Sequence, residues 1–513
     1  MKLKKCGFVA VALMLVASLV GCVDNSTDNF IQIDQSQYKT TFNQVRTADM
    51  YKTEANQKGD VKVLVVPVEF DGYLAENLPA GREGTRNHVD QVVFGDGPDV
   101  DPDTLVQWES LKSFYDKSSY GQTKISGYVA DWWTVEQKPK DFAKGASVQG
   151  LISEISNYYA NGLDANVDPK EFDANNDGFI DLTILVYSPP AKVLGNDDDV
   201  FWAYCTQTSA RADRVKPKVS RYIWMSNSFM YDNGYWEGDV YKKWTSAQIA
   251  DDVNFKQKLD AHTFIHESGH GLGLADYYSY DDGDISPAGQ LDMMDHNIGD
   301  HSAYSKAVYG WINPYVVTGR ATITIDSFQK TGDSIIVPIR SLDWVNNSYT
   351  LMDEYLILEY DTIDNLVVFD SLHQYENAYP QWFTTNGVRV FHVDSRIGVF
   401  NYKNSVRTFV GYSKTTQIAN EENYIDFAHD NTPSRTVNGN RLIELLSKKG
   451  APVRSAATNA DLFVEGDSFG YDTYSNFLMN TRSGEKNEKT PLGFKFEITS
   501  MTADSCTIDF YVA

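Results

Sequence analysis

The stretch His262-Thr263-Phe264-Ile265-His266-Glu267-Ser268-Gly269-His270-Gly271-Leu272-Gly273-Leu274-Ala275-Asp276-Tyr277-Tyr278 constrains the fold more than any other part of the chain. His266 and His270 are four residues apart. On a helix they leave from one face, one turn from each other, where two imidazoles can take neighbouring corners of a zinc tetrahedron. Glu267 lies about 100° further round that helix, too far to ligate comfortably and well placed to reach the water that a metal ion activates. As general base it would take a proton from that water and later return it to the leaving amine. A helix over about residues 261–271 must then stop, so that a third ligand can come back to the ion. Gly271 and Gly273 provide the break, with Gly273 free to take a positive φ. Asp276 is the next ligand in line, and Asp281 and Asp282 are its alternatives. His262 sits one turn before His266, but three successive helical histidines cannot all face one tetrahedral ion, so it reads as a packing or supporting residue.

The start of the chain belongs to export. Lys2, Lys4 and Lys5 precede an apolar stretch, Gly7 to Val20, which is shorter than the ~20 residues of a membrane span. Leu19-Val20-Gly21-Cys22 follows, the layout of a secretory signal whose ending looks like a bacterial lipobox. That ending implies removal of residues 1–21 and lipidation of Cys22. The chain is then expected outside the cytoplasm, held to the bacterial cell membrane through its N-terminal lipid only. Residues 22–59 are polar and read as a tether or short pro-segment. They hold no cysteine after Cys22, so latency there would not use a cysteine–metal plug.

The 513 residues carry 45 basic and 70 acidic side chains, a formal net charge of -25. Losing the three leader lysines leaves 42 basic against the same 70 acidic residues, a net of -28. Such acidity argues against nucleic acid as a partner, because phosphate binding needs clustered cations. Of four cysteines, Cys205 and Cys506 remain after processing, too few for a disulfide scaffold or a zinc cluster.

Hydropathy patterning predicts an α+β chain that turns mostly β beyond Pro314. Val61 to Phe70 reads as a buried strand in which Pro67 favours an edge or a bulge. Leu105, Trp108, Leu111 and Tyr115 have helical spacing, predicting a helix over Thr104 to Ser118 with Thr104 as N-cap. Ile125 to Val129 and Leu182 to Tyr187 read as strands, with a helix over Val148 to Tyr159 between them. Short strands are expected at 321–325, 334–339, 355–360, 388–393, 494–498 and 506–512. The domains expected are a peptidase domain over 60–318, an associated β-rich extension over 319–400, and a sandwich-like region over 401–513.

The pattern HExGHxLGxxDxY resembles the immune inhibitor A-type secreted metallopeptidases, a bacterial zincin family. Val63 to Phe70 is similar to the family's first strand, and Ser113-Phe114-Tyr115 through Ser119-Tyr120-Gly121 to Ile125-Ser126-Gly127 matches its "FY…SYG…isG" segment. Asp292-Met293-Met294, Ser305-Lys306 and Gly310-Trp311-Ile312 resemble its methionine-containing turn and following helix. Tyr355 to Glu359 and Gly387 to Asp394 are similar to two later strands, so the resemblance spans about residues 60–400. It implies a zincin-like fold, a mixed sheet plus an active-site helix, acting on protein or peptide substrates. It also implies zinc held by His266 and His270 with Asp276 as third ligand, Glu267 as base, and Met293 or Met294 beneath the metal. His301 and Tyr304, shortly after that turn, are the candidate donors to a developing oxyanion.

Two features remain outside this reading. Asp173, Asn175, Asp177, Phe179 (through its carbonyl) and Asp181 have the alternate spacing of a calcium loop, with Gly178 at the sharp turn. Ile184 stands at the twelfth position where an EF-hand has glutamate, so a smaller calcium loop or an Asx-rich turn is expected. The aspartates at 96, 99, 101 and 103, and the run at 197–199, read as solvated. Rival functions are a catalytically inactive binding lipoprotein on the same scaffold, or a glycoprotein-directed protease with a glycan-binding β tail. Aromatics such as Trp344, Tyr471 and Tyr474 would serve that tail, though such residues belong more often to cores and turns.

Overall fold

In the computed structural model the described residues are 53–512, apart from 102–103, 146, 232–233, 238–239, 244–258, 281–285, 318, 340–350, 373–378, 404–405, 414–422, 427–430, 433–440 and 474–491. The leader, Cys22, Asp103, Asp281, Asp282, Trp344 and Tyr474 lie outside them.

The first sheet contains β1 (Gly59–Phe70), β2 (Thr123–Val129), β3 (Trp133–Val135), β5 (Leu182–Tyr187), β6 (Tyr204–Gln207) and β8 (Arg221–Ser226). Its order is β2-β1-β5-β8-β6, with β3 also on β1. All pairings are parallel except that of the edge strand β6, which runs antiparallel to β8. Strand side chains alternate between faces, and this alternation divides the core in two. Val61, Val63 and Val65 join one cluster with Val89, Val92 and Val93 of helix Gly81–Phe94 and Phe264 and Ile265 of helix His262–Gly271. Leu64, Val66 and Val68 face the other side, against Leu151, Ile152 and Ile155 of helix Val148–Ala160. β4 (Phe179–Ile180) and β7 (Lys218–Val219) form a small parallel pair, and β9 (Gly234–Glu237) with β10 (Val240–Lys243) an antiparallel one.

Two expectations are corrected here. Pro67 lies inside the sheet, opposite Val186 of β5. The Val65 carbonyl accepts Ala130 N–H on one flank and the Val68 carbonyl accepts Ser188 N–H on the other. Pro67 therefore turns its donor-less nitrogen to the flank where β2 has ended at Val129 and β3 has yet to begin at Trp133. The helix expected from Thr104 starts only at Leu111, capped by Ser110, whose hydroxyl and that of Ser113 close a reciprocal capping box. Residues 105–107 instead run beside Leu259, exchanging backbone hydrogen bonds with it. Leu105, half-buried, and Trp108, buried, pack against the core from this irregular segment without forming a helix.

The later half is built from β11 (Tyr315–Val316), β12 (Ala321–Asp326), β13 (Ser334–Pro338), β14 (Glu354–Asp361), β15 (Gly387–Asp394), β19 (Ile443–Leu445), β20 (Ser468–Gly470), β21 (Phe494–Met501) and β22 (Ser505–Val512). One sheet has the order β11-β13-β14-β15-β19 and the other β12-β22-β21-β20, so the expected divide at residue 400 falls inside both. Ile335, Val337, Leu356, Leu358 and Val390 of the first share a core with Ile323, Ile325, Phe496, Ile508 and Phe510 of the second. The opposite face of the β13–β15 sheet, through Ile336, Tyr355, Ile357 and Phe391, joins the cluster that holds helix His262–Gly271. β16 (Ile397–Lys403), β17 (Val406–Ser413) and β18 (Asn423–Asp426) form a separate antiparallel sheet.

Residues 53–58, expected as tether, pack onto the body. Ala55 is buried, Gln57 donates to the Leu272 carbonyl at 2.9 Å, and Glu54 pairs with Arg221 at 3.1 Å. No helix among the described residues is long and apolar enough to cross a membrane. Cys205 and Cys506 are both free thiols.

Candidate metal centre

Helix His262–Gly271 lies between the first sheet and the Met293–Met294 turn, and small residues let it come close to both. A Cβ on Gly269 would stand 2.5 Å from Met294 Sδ, and one on Gly271 2.8 Å from a Leu182 methyl. Met294 is thus the methionine packed beneath this helix. Gly271 serves packing and stays helical, and the break falls at Gly273 alone, where φ is 109°. After that break the chain returns at once. The Leu274 carbonyl accepts His270 Nδ1–H at 2.9 Å and the Met293 carbonyl accepts His266 Nδ1–H at 2.7 Å.

Those two bonds fix both tautomers. With Nδ1 donating to a carbonyl, Nε2 is the ring nitrogen left to face a carboxylate or a metal ion. Both Nε2 atoms face one oxygen, Asp276 Oδ1, at 3.0 Å from His266 and 3.2 Å from His270, and the two rings stand at 90° to each other. Ligands at about 2.0 Å on a tetrahedral ion are separated by roughly 3.3 Å. Two imidazole nitrogens and a carboxylate at nearly that spacing fit a divalent metal, whose binding would displace the proton that Asp276 favours on His270. They are the one group of three or more His, Cys, Asp or Glu ligand atoms within 4.8 Å of one another among the described residues.

Electrostatics follow from the same contacts. Burial works against charge at His270, yet Asp276 beside it prevails and carries its pKa up to about 9. Burial likewise opposes charge on Asp276, but the imidazoles of His270 and His266 hold it well below the usual carboxylate range. Glu267 is pushed up by burial, with the two imidazoles pulling against the shift. Its Oε2 is buried without a hydrogen-bond partner, so one carboxylate oxygen beside the metal ligands is uncommitted. The site meets solvent at His270, whose side chain is 18% exposed, and at Tyr280, 47% exposed.

His262 takes a supporting place. It is stacked between Trp108 and Tyr379, with ring centroids at 4.3 and 4.6 Å, and paired with Asp260 at 2.6 Å. His301 and Tyr304, the expected oxyanion donors, are both buried in the interior. Asp292 accepts Ser302 N–H at 2.9 Å and draws the segment inward. His301 is then buried among Phe114, Tyr115, Tyr309 and Trp311, held neutral by burial, and Tyr304 belongs to a helix buried at every residue. Position along the chain after the turn carried no information on which way these side chains point.

Tyr278 and Tyr280 are the polar aromatics at the site. The Tyr280 hydroxyl donates to Asp276 Oδ2, the oxygen turned away from the histidines, and Tyr278 lies face-on to His266. Tyr278 is in the motif and Tyr280 only two residues beyond it, but spacing outside a helix does not say which phenol returns to the carboxylate.

In the loop 173–181 the carboxylates bind backbone amides. Asp173 accepts from Asp177 and Gly178, and Asp181 from Lys62 and Ala174. Asn176, at φ 63°, and Gly178, at φ 97°, make the tight turn into β4. The run at 197–199 is not simply solvated, because Asp198 is buried and accepts the amides of Leu194, Val200 and Phe201. Asp96 and Asp99 make surface ion pairs with Lys112 and Lys117.

A mixed α+β architecture carries two of the candidate metal ligands on a short helix and the third on the loop after it, and comparison with known proteins points to a metallopeptidase. The family model described as immune inhibitor A peptidase M6, catalytic domain, matches residues 49–177, a stretch that ends before the metal helix. The chain is also similar to immune inhibitor A of Bacillus thuringiensis subsp. alesti, at 22% identity over 256 residues, covering 44% of this chain. The match spans 34% of that relative, about a third of its length. These findings support the immune inhibitor A-type metallopeptidase family for this chain, the family its motifs resemble.

Proposed function

We propose that the protein is an extracytoplasmic, membrane-anchored zinc endopeptidase that hydrolyses peptide bonds of proteins. The single observation that carries this reading is the convergence of the Nε2 atoms of His266 and His270 on Asp276, with the uncommitted Oε2 of Glu267 beside them. Zinc held by His266, His270 and Asp276 would supply Lewis-acid polarisation of the scissile carbonyl and acidify a water molecule. Glu267 then takes a proton from the attacking water and returns it to the leaving amine nitrogen. Burial, which raises its pKa, favours its taking up a proton. The Met293 and Leu274 carbonyls keep the imidazoles in the ligating tautomer throughout. In this reading the two later β sheets form a sandwich-like support, and calcium at 173–181 would compete with the amide bonds that now close that loop.

The chain from Val23, purified and analysed for metal, is expected to hold one zinc ion and to cleave casein. Stripping with a chelator should abolish cleavage, and zinc should restore it. Stoichiometric zinc without cleavage of casein or of a peptide library would overturn the peptidase reading. For the anchor, Cys22→Ala is expected to move the protein from the membrane fraction to the soluble one, since stable attachment needs the lipid chains. A Cys22→Ala protein still in the membrane fraction would exclude lipidation as the anchor.

A further inference from the structure

We infer that Asn431, 155 positions beyond Asp276 in the sequence, is a positioning residue that holds the third metal ligand in place. This rests on the metal-centre reading above. His266 and His270 are placed by a helix, but Asp276 lies on a loop that is neither helix nor strand, so its position needs another source.

That source is the later half of the chain. Asn431 is fully buried, and its Nδ2 donates to the carbonyl of Tyr277, the residue after Asp276, at 2.7 Å. Its Oδ1 accepts the amide of Ile443 at 2.9 Å, and its own carbonyl accepts Arg441 Nη1–H at 2.7 Å. Ile443 opens β19, which is paired with β15. The neighbouring Thr432 Oγ1 accepts the amide of Tyr280 at 2.9 Å, and Tyr280 closes the loop through its hydroxyl on Asp276 Oδ2. On the other side Tyr277 N–H reaches the Met294 carbonyl at 2.8 Å. The ligand loop is thus pinned on one side by the turn under the metal helix and on the other by residues 431–432.

A carboxamide suits this place because one planar head presents a donor to the Tyr277 carbonyl and an acceptor to the Ile443 amide. Asn431→Asp keeps the acceptor and nearly the same volume. It replaces the donor with an oxygen facing a carbonyl, so a buried acceptor loses its partner and the loop is pushed off. Supports behind metal ligands typically change affinity by about 10- to 100-fold.

The test uses the chain from Val23, stripped of metal and titrated with zinc against a competing chelator. Wild type is compared with Asn431→Asp, with Thr432→Val, which removes the acceptor for Tyr280, and with Lys448→Ala, which breaks the Lys448–Asp467 surface pair just beyond β19. The expected result is weaker zinc binding for Asn431→Asp by about 10-fold or more, a smaller loss for Thr432→Val and none for Lys448→Ala. Thermal unfolding of the metal-free proteins separates the alternatives, since a merely structural role lowers the midpoint and leaves the affinity of the folded protein unchanged. Wild-type zinc affinity in folded Asn431→Asp would overturn the inference. If Asn431→Asp does not fold, wild-type affinity in Thr432→Val overturns it instead. A wild-type chain that binds no zinc would overturn the metal-centre reading itself.

Discussion

Replacing Glu267 by alanine is expected to lower casein turnover by about 10²- to 10⁴-fold, the range for loss of a general base, with zinc content unchanged. The separation of the two effects follows from geometry. His266 and His270 take their orientation from the Met293 and Leu274 carbonyls, and Asp276 is held from outside the helix, so none of the ligands leans on the glutamate. Glu267 Oε2 has no hydrogen-bond partner, and its removal strands no donor there. Glu267→Gln should behave alike, because it keeps the shape and loses only the basicity. Initial rates and metal analysis on the same preparations make the check. Wild-type turnover in either variant would remove Glu267 from the mechanism.

The second large effect is on the fold. Arg389→Met is expected to destabilise the protein by about 3–5 kcal/mol, the cost of removing one partner from a buried ion pair. Arg389 is 1% exposed, pairs with Glu359, lies 3.9 Å from Asp361 Oδ2, and covers the Trp382 ring at 4.8 Å. Burial pushes Glu359 up to about 7 even with the guanidinium pulling against it, so without Arg389 a buried carboxylate is left with little compensation. The same guanidinium donates to the Leu291 carbonyl at 2.8 Å, and Glu359 accepts the amide of Ala303. Strands β14 and β15 therefore hold both ends of the turn that carries Met293 and Met294. Denaturant titration should show a lower midpoint together with weaker zinc retention. A midpoint equal to that of wild type would show that the network contributes nothing to stability.

What could be read in advance divides along physical lines. His266, Glu267 and His270 were legible as a set because helical periodicity converts a spacing of four into one face, and Asp276 because a glycine break brings the chain back within a few residues. β1, β5, β14 and β15 were legible from apolar runs. Ser110 was missed as a cap because burial of Leu105 and Trp108 imitates a helical stripe. Asp198 was misread because a run of three aspartates does not reveal that the middle one turns inward. Asn431, Arg389 and the rest of the support behind the site had no local signal, since their partners are far away in sequence and only the tertiary fold brings them together.

The pairing of β12 with β22 joins residues 321–326 to residues 505–510, and Asn431 reaches back to Tyr277 in the same way. During synthesis, His266, Glu267, His270 and Asp276 all emerge while these partners are still unmade. The strands that steady the ligand loop and the turn beneath it, β14, β15 and β19, are made only afterwards. The candidate metal site therefore gains its full set of supports only once residues 431–443 have been made and have folded back onto the ligand loop.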